Sequence, residues 1–175
     1  EAIEKMFRID DHIAATASGI ISDARVLVDR AQLRAQQHFV TYDASIDVLS
    51  IVKEMCDLKQ ICTQSAGLRP FGVSLLVGGV EEDGTIKLFL TEPYGLYFQY
   101  RAVASGEGEA EIDAILQKKY KPNLSVEEGL KLGLSAMKEF LKDEFNFDRV
   151  DGAYVDVKER KFRKLSNEEL ARLMK

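Results

Sequence analysis

The feature that most constrains the fold is a nearly uninterrupted apolar stretch at residues 71–80, FGVSLLVGGV. Pro70 stands directly before it and disfavours helical backbone in the residue that precedes the proline. A run without polar–apolar alternation is typical of a strand that is covered on both faces. Asp83-Gly84 then predicts a tight turn, and Ile86–Leu90 predicts the returning strand of a hairpin. The chain is therefore expected to build a sheet with a buried centre.

Shorter strands and amphipathic helices surround this hairpin in a definite order. The predicted order is two strands, two helices, three strands, two helices, two strands and a last short helix. Strands are predicted within 7–18 and at Leu96–Ala104, and helices are predicted at 20–39 and from about Ser45 to Cys62. Because strands and helices come in runs without βαβ alternation, the order predicts an α+β fold. No repeat or linker interrupts residues 1–175, which predicts a single domain.

Two capping boxes mark the starts of the last two helices. Ser125 with Glu128 and Ser166 with Glu169 have the spacing at which a serine hydroxyl and a glutamate carboxylate satisfy helix N-terminal groups. Helical pairs on either side of antiparallel strands favour a sheet sandwich with the helices outside.

Composition restricts the partners. The 175 residues carry a net charge of −5 with a pI of about 5.2. An acidic surface repels phosphate, and we therefore expect no nucleic-acid partner. No apolar run reaches membrane-spanning length and no leader pattern is present, so we expect no membrane partner and a cytoplasmic location.

The residues that could carry chemistry lack the arrangements that chemistry needs. No serine lies in a GxSxG motif, and no HExxH or CxxC spacing offers metal ligands. Paired carboxylates stand at turns and first helical turns, where capping and the helix dipole account for them. Gly106-Glu107-Gly108 lacks the third glycine of a dinucleotide-binding motif. The sequence thus predicts no catalytic, cofactor or metal site.

Four blocks taken together resemble a known family. They are IEKMFRIDDHIAATASGIISDARVLVDRAQLRAQ at 3–36, TYD at 41–43, GLRPFGVSLLVGGV at 67–80 and EPYGLYFQYRAVASGEG at 92–108. In this order and spacing they resemble the α subunit of the proteasome core particle, of the archaeal type. The resemblance covers essentially the whole chain and weakens after about residue 140.

The resemblance implies a four-layer αββα sandwich, the architecture of the N-terminal-nucleophile hydrolases. It also implies a non-catalytic role in protein degradation, as one of seven α subunits in a ring. That ring would cap the catalytic β ring, surround the substrate pore and dock ATPase activators, and the helices at 20–64 would face the β ring. Family chains begin with a gating segment, a helix and two strands, so the fold is expected to be incomplete on its N-terminal side.

The resemblance also implies a binding site for the C-terminal tails of activators. The family's pocket lysine matches Lys5, whose ammonium would pair with the tail carboxylate. The Gly-Leu pair of the pocket floor matches Gly19 and Ile20, the latter a conservative departure. Gly19 would allow a close approach of the tail backbone. Without the resemblance, Lys5 would be interpreted as a solvated surface lysine and Gly19 as a turn before a helix.

Two other functions stay open on the sequence. One is a β-type threonine peptidase, which needs a free N-terminal threonine as nucleophile and base. The chain begins with Glu1, and its motifs resemble the α type. The other is a shortened fragment without a role in a ring.

Overall fold

A computed structural model describes residues 4–174 of the chain. Seven strands and five α-helices follow one another there: β1 (Met6–Asp10), β2 (Ile13–Gly19), α1 (Ile21–Tyr42), α2 (Val48–Gln64), β3 (Val73–Val80), β4 (Ile86–Thr91), β5 (Tyr97–Gln99), α3 (Glu109–Lys119), α4 (Val126–Leu141), β6 (Gly152–Val155), β7 (Phe162–Leu165) and α5 (Asn167–Leu173). Short 3₁₀ turns lie at Lys142–Glu144 and Phe147–Arg149. This order confirms the predicted order of elements and the α+β class.

The described residues group into two compact units. The first comprises Glu4–Arg101 and Val155–Phe162, and the second comprises Ala102–Tyr154 and the residues from Arg163 onward. The expected single domain and the expected incompleteness on the N-terminal side stay predictions.

In the first unit, five antiparallel strands form one sheet in the order β1-β2-β3-β4-β5. Ala15 of β2 pairs with Phe7 on one side and with Val77 on the other, and Val77 pairs in turn with Phe89. Helices α1 and α2 pack on this sheet and on each other. The fully buried residues of this core are Ile13, Ala24, Leu27, Ala31, Val48, Ile51, Val52, Met55, Leu75 and Val77.

Strand β3 differs from its prediction in how it is covered. Val73, Leu75 and Val77 are buried, whereas Ser74 and Leu76 between them are only half-buried. The strand therefore alternates between buried and half-buried residues although its sequence is mostly apolar, and one face is covered more completely than the other. Sequence hydrophobicity reports tolerance for burial on either face and does not measure how closely each face is packed.

The start of α2 and the end of β5 differ from their predicted positions, and hydrogen bonds account for both differences. Helix α2 begins at Val48 and not at Ser45, since the Asp47 carboxylate accepts the N–H of Ser50 at 2.8 Å and caps the helix there. Strand β5 ends at Gln99, well before the predicted Ala104. Its register with β4 ends where Gln99 pairs with Phe89, and one more backbone hydrogen bond follows, from the Tyr100 N–H to the Leu88 carbonyl at 2.9 Å.

A lysine takes a core position on α2. Lys59 is fully buried, and its ammonium donates to the Val73 carbonyl (2.9 Å), the Thr91 hydroxyl (2.9 Å) and the Glu92 carbonyl (3.1 Å). Three acceptors match the three N–H bonds of the charged form. Lys59 thereby joins α2 to β3 and to the end of β4, while burial lowers its pKa to about 8.

The second unit contains α3, α4, α5 and most of the paired strands β6 and β7. Its core has Leu134, Val150 and Leu170 at the centre. Both predicted capping boxes are confirmed: Ser125 and Glu128 begin α4, and Ser166 and Glu169 begin α5.

Replacing Lys59 by methionine is expected to remove a pH-dependent part of the stability. The folded pKa of about 8 lies below the ordinary 10.5, so the unfolded chain holds a proton that the folded chain has lost between these values. The free energy of unfolding of the wild type should therefore increase relative to that of Lys59→Met as the pH rises through this range. The expected increase is up to about 3 kcal/mol.

Urea unfolding at a series of pH values between the folded and the unfolded pKa of Lys59 measures the difference in unfolding free energy between wild type and Lys59→Met. Lys53→Met, on the exposed face of the same helix, should behave like wild type. A difference between wild type and Lys59→Met that does not change with pH would contradict the account.

Candidate functional site

The three residues predicted to bind a tail lie at the same end of the β1–β2 hairpin. Lys5 directly precedes β1 and is exposed, and its carbonyl accepts the N–H of Ala17 at 3.1 Å. This bond continues the register in which Met6 pairs with Thr16, so Lys5 stands opposite Ala17. Gly19, two residues further along, is the last residue of β2, and Ile20 directly precedes α1. The pairing of β1 with β2 thus places Lys5 at the same hairpin end as Gly19 and Ile20, which follow it by 14 and 15 positions in sequence.

Gly19 occupies a position that excludes a side chain. Its φ of +111° lies in the region that favours glycine. A Cβ built there would overlap the carbonyl oxygen of Gly72. The N–H of Ile20 donates to that same oxygen at 2.9 Å. The end of β2 therefore passes directly over the backbone of Gly72.

Ile20 links this strand end to the first turn of α1. Its carbonyl accepts the N–H groups of Asp23 at 3.0 Å and Ala24 at 3.2 Å. The helix hydrogen bonds therefore begin at this residue. Ile20 is 47% exposed, although its side chain also lies against Gly72. An apolar surface thus lies beside the backbone of Gly19.

A buried carboxylate fixes this region to the segment before β3. Asp23 is 7% exposed and pairs with Arg69 through two hydrogen bonds of 2.7 Å. This is the bidentate geometry that favours arginine over lysine. Asp23 also accepts the N–H of Gly72 at 2.9 Å. The hydrogen bonds from Arg69 and then from Gly72 lower the pKa of Asp23 to about 2.

Sequence reasoning missed this pair. Asp23 follows the start of a helix, where the helix dipole alone explains an acid, and Arg69 stands 46 positions away. No local sequence pattern signals the pair, because Arg69 is exposed and water alone can solvate an exposed arginine.

Other reactive groups are engaged in the first unit's packing. Buried His12 lies with Nε2 2.7 Å from the carbonyl oxygen of Ile46, and His38 contacts the Tyr42 ring. Burial raises the pKa of the Cys56 thiol to about 11, so it is protonated at neutral pH. Within residues 4–174 no cluster of histidine, cysteine, aspartate and glutamate could hold a metal ion. Over the same residues, no helix has the length and apolar character needed to cross a bilayer.

Replacing Asp23 by asparagine is expected to destabilise the first unit by about 2 kcal/mol at neutral pH, because hydrogen bonds to a charged group are lost. The carboxylate contributes fully above its ordinary pKa of 3.8, and this contribution disappears as the pH falls to about 2. Acid unfolding of wild type and Asp23→Asn should therefore converge between these values.

Asp29→Asn, an exposed change on the same helix, is the control for this measurement and should leave stability unchanged. Equal stability of Asp23→Asn and Asp29→Asn at neutral pH would contradict the role of Asp23.

Comparison with known proteins places this geometry in a family context. The model of the Proteasome family, described as proteasome subunit, matches residues 1–155. The proteasome subunit alpha of Pyrococcus horikoshii is 47% identical over 174 residues, and that of Thermococcus sibiricus is 46% identical over 174 residues. The corresponding protein of Methanocaldococcus jannaschii is 41% identical over 173 residues.

The matches extend over nearly all of this chain but over a smaller part of the relatives. Each of the three alignments covers 99% of this chain and 66% of the relative. The chain therefore spans just under two thirds of the length of these three proteins.

Proposed function

This chain belongs to the proteasome subunit family as an α-type member, and on that basis we propose that it is a non-catalytic ring subunit with a docking site for activator tails. Its partners in this role are other α subunits, the proteasome β subunits and the C-terminal tails of ATPase activators, and its place is the cytoplasm. The ring would scaffold the β subunits and surround the substrate pore in protein degradation.

The observation that carries the docking site is the convergence of Lys5, Gly19 and Ile20 at one end of the β1–β2 hairpin. Each residue supplies a different kind of contact at an exposed position. A terminal carboxylate needs a cation, and Lys5 offers an ammonium on a side chain that is open to solvent. Gly19 presents bare backbone, and the exposed side chain of Ile20 offers apolar contact for a side chain of the tail.

The fold around the site supports the scaffold role. The first unit consists of one helical layer, α1 and α2, and one five-stranded sheet. These correspond to one helical and one sheet layer of the αββα sandwich of the family. The site lies where β2 leads into α1. Gly19 and Ile20 are therefore held between a strand of the sheet and the helix that follows it.

The docking site predicts a specific dependence on the terminal charge of the tail. The test uses the assembled ring of the protein that carries this chain and a peptide copying the C-terminal tail of the activator, in free-acid and C-terminal amide forms. In wild type the amide should bind about tenfold more weakly, the loss expected for one charge-assisted hydrogen bond at an exposed site. In Lys5→Met the acid and the amide should bind equally. Fluorescence anisotropy of labelled peptides measures both affinities.

Lys53→Met provides the matched control, because it removes a charge from an exposed position on α2. That variant should keep the preference for the free acid. If Lys5→Met keeps the preference as well, the docking function assigned to this site is wrong.

A further inference from the structure

We infer that Gly72 and Arg69 are positioning residues of this docking site, because they determine where Ile20 presents its side chain. The inference rests on the proposed function. Neither residue has to touch the tail, and each acts through Ile20 or through the backbone beside it.

Gly72 contacts the end of β2 through its carbonyl group. Its carbonyl oxygen accepts the N–H of Ile20 at 2.9 Å and lies where a Cβ on Gly19 would fall. The backbone position of both Gly19 and Ile20 is therefore set by this one carbonyl group.

Gly72 has no side chain, and the space that a side chain would occupy is taken by Ile20. A Cβ on Gly72 would stand 2.5 Å from Cδ1 and 3.1 Å from Cγ1 of Ile20. The Ile20 side chain thus fills the space that the missing side chain of Gly72 leaves open. Since these atoms are the flexible end of Ile20, an added methyl group would displace that side chain and leave the backbone hydrogen bond intact.

The segment that carries Gly72 is held by hydrogen bonds at both ends. Arg69 holds one end through its two hydrogen bonds to Asp23, and it also donates to the Pro70 carbonyl at 3.0 Å. Lys59 holds the other end through the Val73 carbonyl. Gly72 therefore lies between two anchored residues, and Ile20 packs against a surface with little freedom to move.

The experiment is a double-mutant cycle on the affinity of the assembled ring for the free-acid tail peptide. Gly72→Ala in the wild-type background should weaken binding about fivefold, since Ile20 loses its position. Ile20→Val removes the Cδ1 atom and relieves the closest contact, so adding Gly72→Ala to Ile20→Val should weaken binding less than about twofold. Gly78→Ala in β3 is the matched control, because the added Cβ meets no atom closer than 3.5 Å.

A general loss of structure would lower affinity equally in both backgrounds, so the cycle separates positioning from stability. Additive effects of Gly72→Ala and Ile20→Val, or no effect of Gly72→Ala, would overturn the inference.

If Gly72→Ala prevents ring assembly, Arg69→Lys replaces it. That variant keeps the charge but not the bidentate pair with Asp23, and it should weaken tail binding about threefold. Unchanged tail affinity in Arg69→Lys would overturn the inference.

The outcome with Lys5→Met identifies which claim has failed. A lost preference for the free acid in Lys5→Met, together with unchanged binding in Gly72→Ala, leaves the docking site in place and refutes the positioning role. A retained preference in Lys5→Met refutes the docking site itself.

Discussion

The first unit depends on one buried carboxylate. Asp23 accepts two hydrogen bonds from Arg69 and one from the backbone of Gly72, so a single side chain of α1 fixes the segment that leads into β3. A buried charge is stable only when its hydrogen-bonding capacity is filled, and three donors fill most of the capacity here. The start of α1, the end of β2 and the entrance to β3 are consequently held at one place. Lys59 is the counterpart on α2. Its ammonium donates to three uncharged oxygen acceptors, so its burial costs free energy that the packing of α2 has to offset.

Periodicity and capping predicted the order of the elements because these signals are local. Hydrophobic spacing located α1 and α2, Asp83-Gly84 located the β3–β4 turn, and the two serine capping boxes located α4 and α5. The Asp23–Arg69 pair and the acceptors of Lys59 escaped prediction, since their partners come together only after the sheet has formed. Position 59 falls among apolar residues of α2, and tertiary hydrogen bonds make a lysine tolerable there.

At the candidate site, too, some residues can be identified from the sequence and others only from tertiary contacts. Lys5, Gly19 and Ile20 were identified through resemblance, and the pairing of β1 with β2 places them at one end of a hairpin. The roles of Gly72 and Arg69 depend on tertiary contacts, because a glycine that leaves space for a distant side chain has no sequence pattern of its own.

The most direct test of the account is the native mass of the assembly formed by the protein that carries this chain. Native mass spectrometry should show a ring of seven copies, single or stacked, because the α-type role requires assembly. A monomer or small dimer at every accessible concentration, with or without β subunits, would contradict the ring-subunit function.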